Sequence, residues 1–482
     1  MTDSPTRDPA DIDAGRPGRA LVTGATGYIG SQLVPELLAR GWEVRVLTRS
    51  AGGLDTREWA EDVDIVEGNA DSRDDLRRAL DGVDVAYYLL HSMEGRGDFV
   101  TRDRELATTF ATAAGEAGTG RLVYLGGLHP EGELSPHLAS RVEVGEILLA
   151  SGVPTVVLQA GVVLGDGSAS FDMLRHLTER LPAMIAPKWL RNSIQPVAIS
   201  DVLHYLAGAA LLPADVNRVY DIGGPEVLTY ADMMKRYAEI CGLGRRPIVT
   251  LPLLTPSLAS HWVGLVTPVV AGVARPLVGS LIHDAVCDDD DVIDALGEPP
   301  GGRTPFDVAI QRATSELDAH LWRQTLAQVA GMVAASAVAG SLFTDPDSRW
   351  YRSLSRPGWQ PPGPAFAAVW TTIYAALTVT SAATITELTE QGRSREAAAY
   401  RNALGVNLVL NTAWSALFWR ARLPRLATLD SAALAVSAVD LARRAGAVGR
   451  GKRMVLLGYA GWSGFATTLS GSIARRNKAR RG

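Results

Sequence analysis

The chain has 482 residues and a formal net charge of −5, an average that hides two unlike parts. Residues 1–320 carry 27 Lys and Arg against 45 Asp and Glu, a balance of −18, whereas residues 321–482 carry 20 against 7, a balance of +13. This asymmetry excludes one uniform soluble domain, and a hydrophobic share of 47% excludes a largely disordered chain.

Residues 1–18 are polar and acidic without an apolar run, so they read as a disordered leader and not as a signal peptide. Residues 19–23 (RALVT) predict a strand, Gly24-Ala-Thr26-Gly27-Tyr28-Ile29-Gly30 a tight turn, and SQLVPELLARG a helix closing at Gly41. Strand, glycine turn and helix come in the order a dinucleotide site needs. Glycines let the backbone approach a pyrophosphate, whose charge then sits on the helix N-terminal amides. The spacing is GxxGxxG, not GxGxxG. The next strand, EVRVLTRS (43–50), ends in Thr48-Arg49-Ser50. An NAD-specific site would place an acid there, whereas Arg49 suits a 2′-phosphate and predicts NADP(H) over NAD(H). Strands and helices keep alternating through TVVLQAGVVLG, which predicts an α/β fold of Rossmann type with a doubly wound parallel sheet. Cys241 and Cys287 are far apart and in no CxxC spacing; they form no disulfide framework or zinc site, which fits a reducing compartment, and no metal site is assigned.

The segments TGATGYIG (23–30), VRVLTR (44–49), GNAD (68–71), YLGGL (124–128) and QPVAISDVL (195–203) resemble the extended and atypical short-chain dehydrogenase/reductases, in particular their NmrA-like NAD(P)H-binding branch. The resemblance covers 19–250 and implies that Asn69 and Ala70 lie near the adenine, with Leu90 and His91 on the cofactor's ribose side. Active members of that family use a Ser after the fifth strand and a Tyr-x-x-x-Lys on the following helix. Here Gly126-Gly127 replace the Ser, and His137-x-x-x-Arg141 replaces the Tyr and Lys. Four-residue spacing puts His137 and Arg141 on one helix face, keeping a candidate general acid and a cation in altered form. Two readings stay open here: an oxidoreductase using His137 and Arg141, and cofactor binding with little or no turnover.

Residues 251–286 are strongly apolar but broken by Pro256, Pro268 and Pro276, so they favour a cap, with membrane contact left open, over a sixth membrane helix; 251–320 as a whole is a cap and linker. The acidic run 287–296 reads as a helix N-terminus. From 324 onward five apolar runs appear, at 324–343, 363–386, 403–419, 426–442 and 454–474, separated by basic loops. Each approaches the ~20 residues that cross a bilayer as a helix, so 321–482 predicts an all-α bundle of five transmembrane helices.

Within them, Trp350-Tyr351-x-x-Leu354-x-x-Pro357-x-Trp359-x-Pro361-Pro362, then Phe366, Val369-Trp370 and Tyr374, then Leu410-Asn411-x-x-Trp414-Ser415, then Tyr459-x-x-Trp462-x-x-Phe465-Ala466 resemble the tryptophan-rich sensory protein/translocator protein (TspO/MBR) family. Gly458 and Ser470 depart from its usual Pro and Asn, which bears on the kink of the fifth helix and on one helix–helix contact. The resemblance implies a cavity closed by the 344–362 loop, with ligand contacts from Trp359, Phe366, Trp370, Tyr374, Asn411, Trp414, Trp462 and Ala466, and a homodimer through the membrane domain. Flat aromatic walls and one amide suit a flat hydrophobic ligand of tetrapyrrole type. Residues 321–482 contain no His or Cys, so a porphyrin would be held without axial ligation.

With the nucleotide domain cytoplasmic, the inner loops carry eight Lys and Arg while the outer loops and C-terminal tail carry eleven. This opposes the positive-inside rule; the placement rests on where NADP(H) is found. Asp430 and Asp440 lie within the fourth run, near its ends. The expected partners are the lipid bilayer and a small hydrophobic ligand, with no nucleic acid. Three functions compete: a membrane-anchored sensor coupling NADP(H) occupancy to a flat ligand, an NADPH-dependent reductase of a lipid-soluble substrate, and a transporter with a structural soluble half.

Overall fold

The computed structural model describes residues 17–91, 99–129, 134–251, 267, 277–279 and 281–477. The leader and most of the 251–286 cap fall outside these residues. The chain divides into two compact units, Met1–Glu316 and Leu317–Gly482.

In the first unit seven parallel strands form one sheet: β1 (Arg19–Thr23), β2 (Glu43–Thr48), β3 (Asp64–Glu67), β4 (Val85–Tyr88), β5 (Arg121–Gly127), β6 (Thr155–Ala160) and β7 (Arg218–Ile222), in the order β7-β6-β5-β4-β1-β2-β3. The strands are apolar on both faces because both are covered. Ala20, Val22, Tyr87 and Val123 face α1 (Tyr28–Ala39) and the later helix Ile199–Ala209, while their neighbours Leu21, Ala86, Tyr88, Leu122 and Tyr124 face α2 (Arg73–Leu80), α3 (Phe99–Ala117) and α4 (Pro136–Leu149). The strand order reverses between β1 and β4, which opens a crevice at their carboxyl ends, where such sheets bind ligands.

Beyond β6 come α5 (Ala169–Arg180), α6 (Ile199–Ala209), α7 (Tyr230–Ile240), α8 (Asp291–Leu296) and α9 (Phe306–Ala313). The acidic run does begin a helix: Asp290 stands at the N-cap position of α8 without a side-chain capping bond, and Asp291 and Asp294 lie in its first turn, where the helix dipole favours acids.

The second unit contains α10 (Leu321–Phe343), the short α11 (Arg349–Ser353), α12 (Gly363–Glu390), α13 (Ser394–Ser415), α14 (Pro424–Gly446) and α15 (Arg450–Arg476). Pro424 opens α14 at its first position, where a missing N–H costs nothing. Of the five long helices, α10 and α12 are long and apolar enough to cross a membrane; α13, α14 and α15 fall short of that measure. Polar and small residues inside them lower their hydropathy: Arg401, Asn402, Asn407 and Asn411 in α13, Asp430 and Asp440 in α14, and Gly458, Gly461, Ser463 and Gly464 in α15.

Gly458 does not interrupt α15, which runs unbroken from Arg450 to Arg476. Ser470 keeps the contact in question, because its Oγ accepts the Trp414 indole N–H at 3.3 Å. Asp440 is held by Arg443 and Arg444 at 2.8 and 2.6 Å. Asp430 differs: it sits a turn and a half inside α14, and its buried Oδ2 has no hydrogen-bond partner.

Candidate functional site

The crevice between β1 and β4 is a cavity of about 270 Å³. Its near wall is the turn after β1. Gly24 has φ +72°, and a Cβ there would stand 2.6 Å from the Leu89 carbonyl oxygen. The Gly27 N–H donates to the Gly24 carbonyl at 2.9 Å and closes the turn. A Cβ on Gly30 would come 2.4 Å from that same carbonyl. Gly24 and Gly30 are therefore required by backbone packing, whereas a Cβ on Gly27 would stand 3.2 Å from the Gly24 carbonyl oxygen. Gly27 caps α1 without a side-chain bond, which leaves the first amides of the helix available to an anion. At the switch point the Thr23 hydroxyl donates to the Tyr87 carbonyl at 2.9 Å and accepts the Leu89 N–H at 3.2 Å, fixing β1 against β4.

Gly24, Gly27, Tyr28, Ile29, Gly30, Leu90, His91, His137 and Arg141 all line this cavity. Thr26, Arg49, Asn69 and Ala70 do not. Arg49 follows β2, exposed and without an ion-pair partner among the described residues. Asn69 is also exposed and donates its backbone N–H to Asp75 at 2.9 Å. Ala70 packs on the core beside α2 and α3.

His137 lies in the first turn of α4, capped by Ser135, whose Oγ accepts the Leu138 N–H at 3.3 Å. Burial, then the Arg141 and His91 charges, push its imidazole down to about 3. His91 stands at the cavity rim with one edge open; burial of the rest and the Arg141 charge hold it down to about 4. Both rings are neutral near pH 7, so His137 can donate one N–H but is not the imidazolium acid its residue type suggests. Arg141 is partly engaged as well. Its Nη2 donates to the Leu125 carbonyl at 2.6 Å, it packs beside Gly127, and its buried Nε has no partner. Gly126 and Gly127 end β5 with no hydroxyl to polarise a carbonyl. The turn and helix terminus thus fit a dinucleotide, while the proton-donating set is incomplete.

Other wall residues escaped the sequence reading. Tyr124, Met173, Tyr230, Leu277 and Leu281 complete the cavity from four further segments. Only the fold brings them together, since Tyr230 is more than 200 positions from the glycine turn.

In the second unit the aromatic residues converge. Trp359 meets Phe465, Phe366 meets Trp462, and Trp462 lies against Phe465, with centroids 5.8, 5.9 and 5.2 Å apart. Trp370 packs on Tyr374 and Tyr459. Asn411 is buried and accepts the Tyr374 hydroxyl at 2.8 Å. Trp414 instead stacks on Phe418, 5.1 Å apart and 9° from parallel, and that ring holds Trp350 and Tyr351 of the 344–362 loop. Ala466 is half-buried one position beyond Phe465. The Trp462 indole N–H is buried without a partner.

Fold and sites together define a Rossmann-type nucleotide-binding domain joined to an aromatic-rich helical bundle. Residues 24–152 match the NAD(P)H-binding family model and residues 328–476 the TspO/MBR family model. The chain is 33% identical over 144 residues to the membrane protein YtaB of Bacillus subtilis (strain 168), covering 30% of this chain and 90% of that protein. It is 34% identical over 140 residues to the translocator protein of Sus scrofa, covering 28% of this chain and 78% of that one. A solved structure of the triphenylmethane reductase of Citrobacter sp. superposes with a TM-score of 0.50 at 18% identity, covering 62% of this chain and 99% of that chain, and so shares the fold of the first unit. Through its C-terminal unit the chain belongs to the TspO/MBR family, with an NAD(P)H-binding domain fused ahead of it.

Proposed function

We propose that this protein is a membrane-anchored NADP(H) sensor, in which occupancy of the nucleotide domain is coupled to binding of a flat hydrophobic ligand of tetrapyrrole type in the helical bundle. The observation that carries this reading is the contrast within one cavity. The glycine turn and free α1 amides suit a dinucleotide, while His137 is held neutral, one Arg141 N–H is tied to the Leu125 carbonyl and β5 ends in glycines. Binding without turnover is what such a cavity favours. Arg49, unpaired at the end of β2, supplies the charge for a 2′-phosphate and favours NADP(H) over NAD(H). Asn69 and Ala70 flank the adenine side.

The five long helices span the bilayer in this reading, with the nucleotide domain cytoplasmic. Support comes from the apolar side chains that each helix turns outward: Leu342 on α10, Val379 on α12, Val409 on α13, Val436 on α14 and Met454 on α15. Lipid is the solvent that makes such exposure favourable. Trp359, Phe366, Trp370, Tyr374, Asn411, Trp414, Trp462 and Ala466 hold the ligand by stacking and one amide.

The test is titration of the full chain in nanodiscs with NADPH and NADH, following nucleotide fluorescence and NADPH absorbance over hours. The reading expects saturable NADPH binding, at least about tenfold tighter than NADH, with no oxidation above the protein-free rate. Steady turnover with a ketone panel, abolished by His137→Ala, would replace it with the reductase reading.

A further inference from the structure

Two short strands outside the main sheet, Met184–Pro187 and Ile248–Leu251, pair in parallel with Ile185 opposite Val249. Successive side chains alternate between the two faces of such a ladder. Met184 and Ala186 are buried, so the other face turns Ile185 and Val249 outward together, 62% and 57% exposed. Pro182, Ala183 and Pro247, beside the strands, are exposed as well. A solvated face ordinarily carries polar side chains at these outward positions. Isolated exposed aliphatics need no explanation, but two held side by side on paired strands form a patch.

The charge around this patch is equally unlike the rest of the domain. Residues 1–320 balance at −18, yet 180–191 and 242–251 contain five Lys and Arg and no acid. Arg246 is buried and donates to the Thr178 and Leu243 carbonyls at 2.8 and 2.7 Å, which fixes the approach to the second strand. Lys188, Arg191 and Arg245 are exposed, with no ion-pair partner among the described residues. Beyond Leu251 the sequence runs through 252–283 with Arg275 as its one Lys, Arg, Asp or Glu. We propose that this ladder face docks on an anionic lipid surface, with Ile185 and Val249 entering the headgroup layer and Lys188, Arg191 and Arg245 meeting lipid phosphates. The acidic remainder of the domain is repelled by such a surface, so the patch sets which face the domain presents to it. Each basic group near anionic lipid is worth about fivefold in binding. The proposal goes beyond the ligand reading above and rests on one part of it, that the helical unit holds the chain in a membrane.

The test places a fluorophore at Ala183→Cys, beside the ladder but not in it, in the full chain with Cys241→Ser and Cys287→Ser. The protein is reconstituted in phosphatidylcholine nanodiscs, with and without phosphatidylglycerol, containing a lipid that carries a quenching nitroxide on its headgroup. The expected result is quenching at Ala183 at least about threefold stronger with phosphatidylglycerol, and none at Leu211→Cys, a position 60% exposed at the amino end of the sheet, where Arg121 of β5 donates to the Leu212 carbonyl. Lys188→Gln with Arg245→Gln should lower the docked-to-free ratio ~25-fold, as two cations at about fivefold each require. Ile185→Ser with Val249→Ser should lower it too. NADPH affinity and the thermal transition are retained in both, because all four side chains are exposed. Amide exchange in the unaltered chain needs no variant: phosphatidylglycerol should slow it in 181–190 and 245–251 and leave 206–215 unchanged. Quenching indifferent to phosphatidylglycerol, equal quenching at Leu211, or unchanged exchange overturns the proposal. So does protection that persists in detergent and grows with protein concentration, which gives the face to a second copy of the chain. A label at Val379→Cys on α12, read with a mid-chain nitroxide lipid, reports anchoring separately, and its failure counts against the membrane-spanning reading alone.

Discussion

Replacing Gly30 by Ala separates the steric demands of the glycine turn from ordinary helix chemistry. Gly30 lies in the first turn of α1, where Ala is intrinsically better than Gly by about 1 kcal/mol. Against this, the added Cβ would lie 2.4 Å from the Gly24 carbonyl oxygen and 2.9 Å from its carbon. Ordinary C···O contacts begin near ~3.3 Å, so something must move by almost 1 Å. The obstacle is backbone and cannot rotate away. Gly24 has a positive φ, abuts the Leu89 carbonyl and accepts the Gly27 N–H at 2.9 Å. Overpacking of this kind costs about 1–3 kcal/mol, and the rigid surroundings place this site toward the upper end. The net expectation is a loss of ~1–2 kcal/mol, or several degrees in the nucleotide domain's melting temperature. NADPH affinity should fall at least about tenfold as the turn is pushed open. Gly115→Ala in α3 is the control, because its Cβ would meet only atoms at 3.9 and 4.0 Å. That substitution should stabilise the domain by up to ~1 kcal/mol and leave affinity unchanged. Thermal unfolding and NADPH fluorescence titration on both variants are the assay. If Gly30→Ala melts and binds like Gly115→Ala, the steric argument for the turn is wrong.

Three further outcomes follow from particular contacts. The folded domain keeps His137 neutral down to about 3, whereas an unfolded chain protonates it near 6.5. Stability from this group is therefore complete above pH 6.5 and declines as pH falls through that window, by up to ~1.4 kcal/mol per unit. His137→Gln should flatten the acid limb of a pH-dependent melting curve, and an unchanged limb would refute the burial argument. Arg49→Glu should weaken NADPH binding at least about tenfold and leave NADH binding nearly constant; a parallel loss for both would remove Arg49 from the 2′-phosphate. In the bundle, Tyr459 donates to Asn407, which is fully buried, at 2.9 Å. Tyr459→Phe should cost ~1–3 kcal/mol by leaving that amide oxygen unpaired, as read by thermal unfolding in detergent.

Much of this architecture is legible in the sequence because it is local. RALVT followed by GATGYIG names its own strand, turn and helix, and the aromatic motifs around Trp350–Trp359, Trp370, Trp414 and Trp462 are read directly from the chain. The parallel sheet follows from strand–helix alternation, since parallel neighbours need crossovers. Other features depend on distant residues. His137 and Arg141 do share the cavity wall, as their four-residue spacing requires, but spacing is silent on burial. It is burial that removes the imidazolium. Tyr230 and Met173 meet the glycine turn only through the tertiary fold. The apolar runs predict five long helices, but asparagines in α13, aspartates in α14 and glycines and serines in α15 leave those three less apolar than α10 and α12. Ser470 shows the reverse case. The substitution suggests a lost contact, yet a serine hydroxyl still reaches the Trp414 indole.

The central claim is that nucleotide and flat ligand influence each other through one chain. Linkage makes this measurable without a substrate, because any effect of NADPH on ligand affinity must be mirrored by an equal effect of the ligand on NADPH affinity. The direct measurement is the protoporphyrin dissociation constant of the full chain in nanodiscs, taken by tryptophan quenching with and without saturating NADPH, and the NADPH constant with and without protoporphyrin. The account predicts the same factor in both directions, at least about fivefold. Two unchanged constants, each ligand binding as if the other were absent, would contradict it.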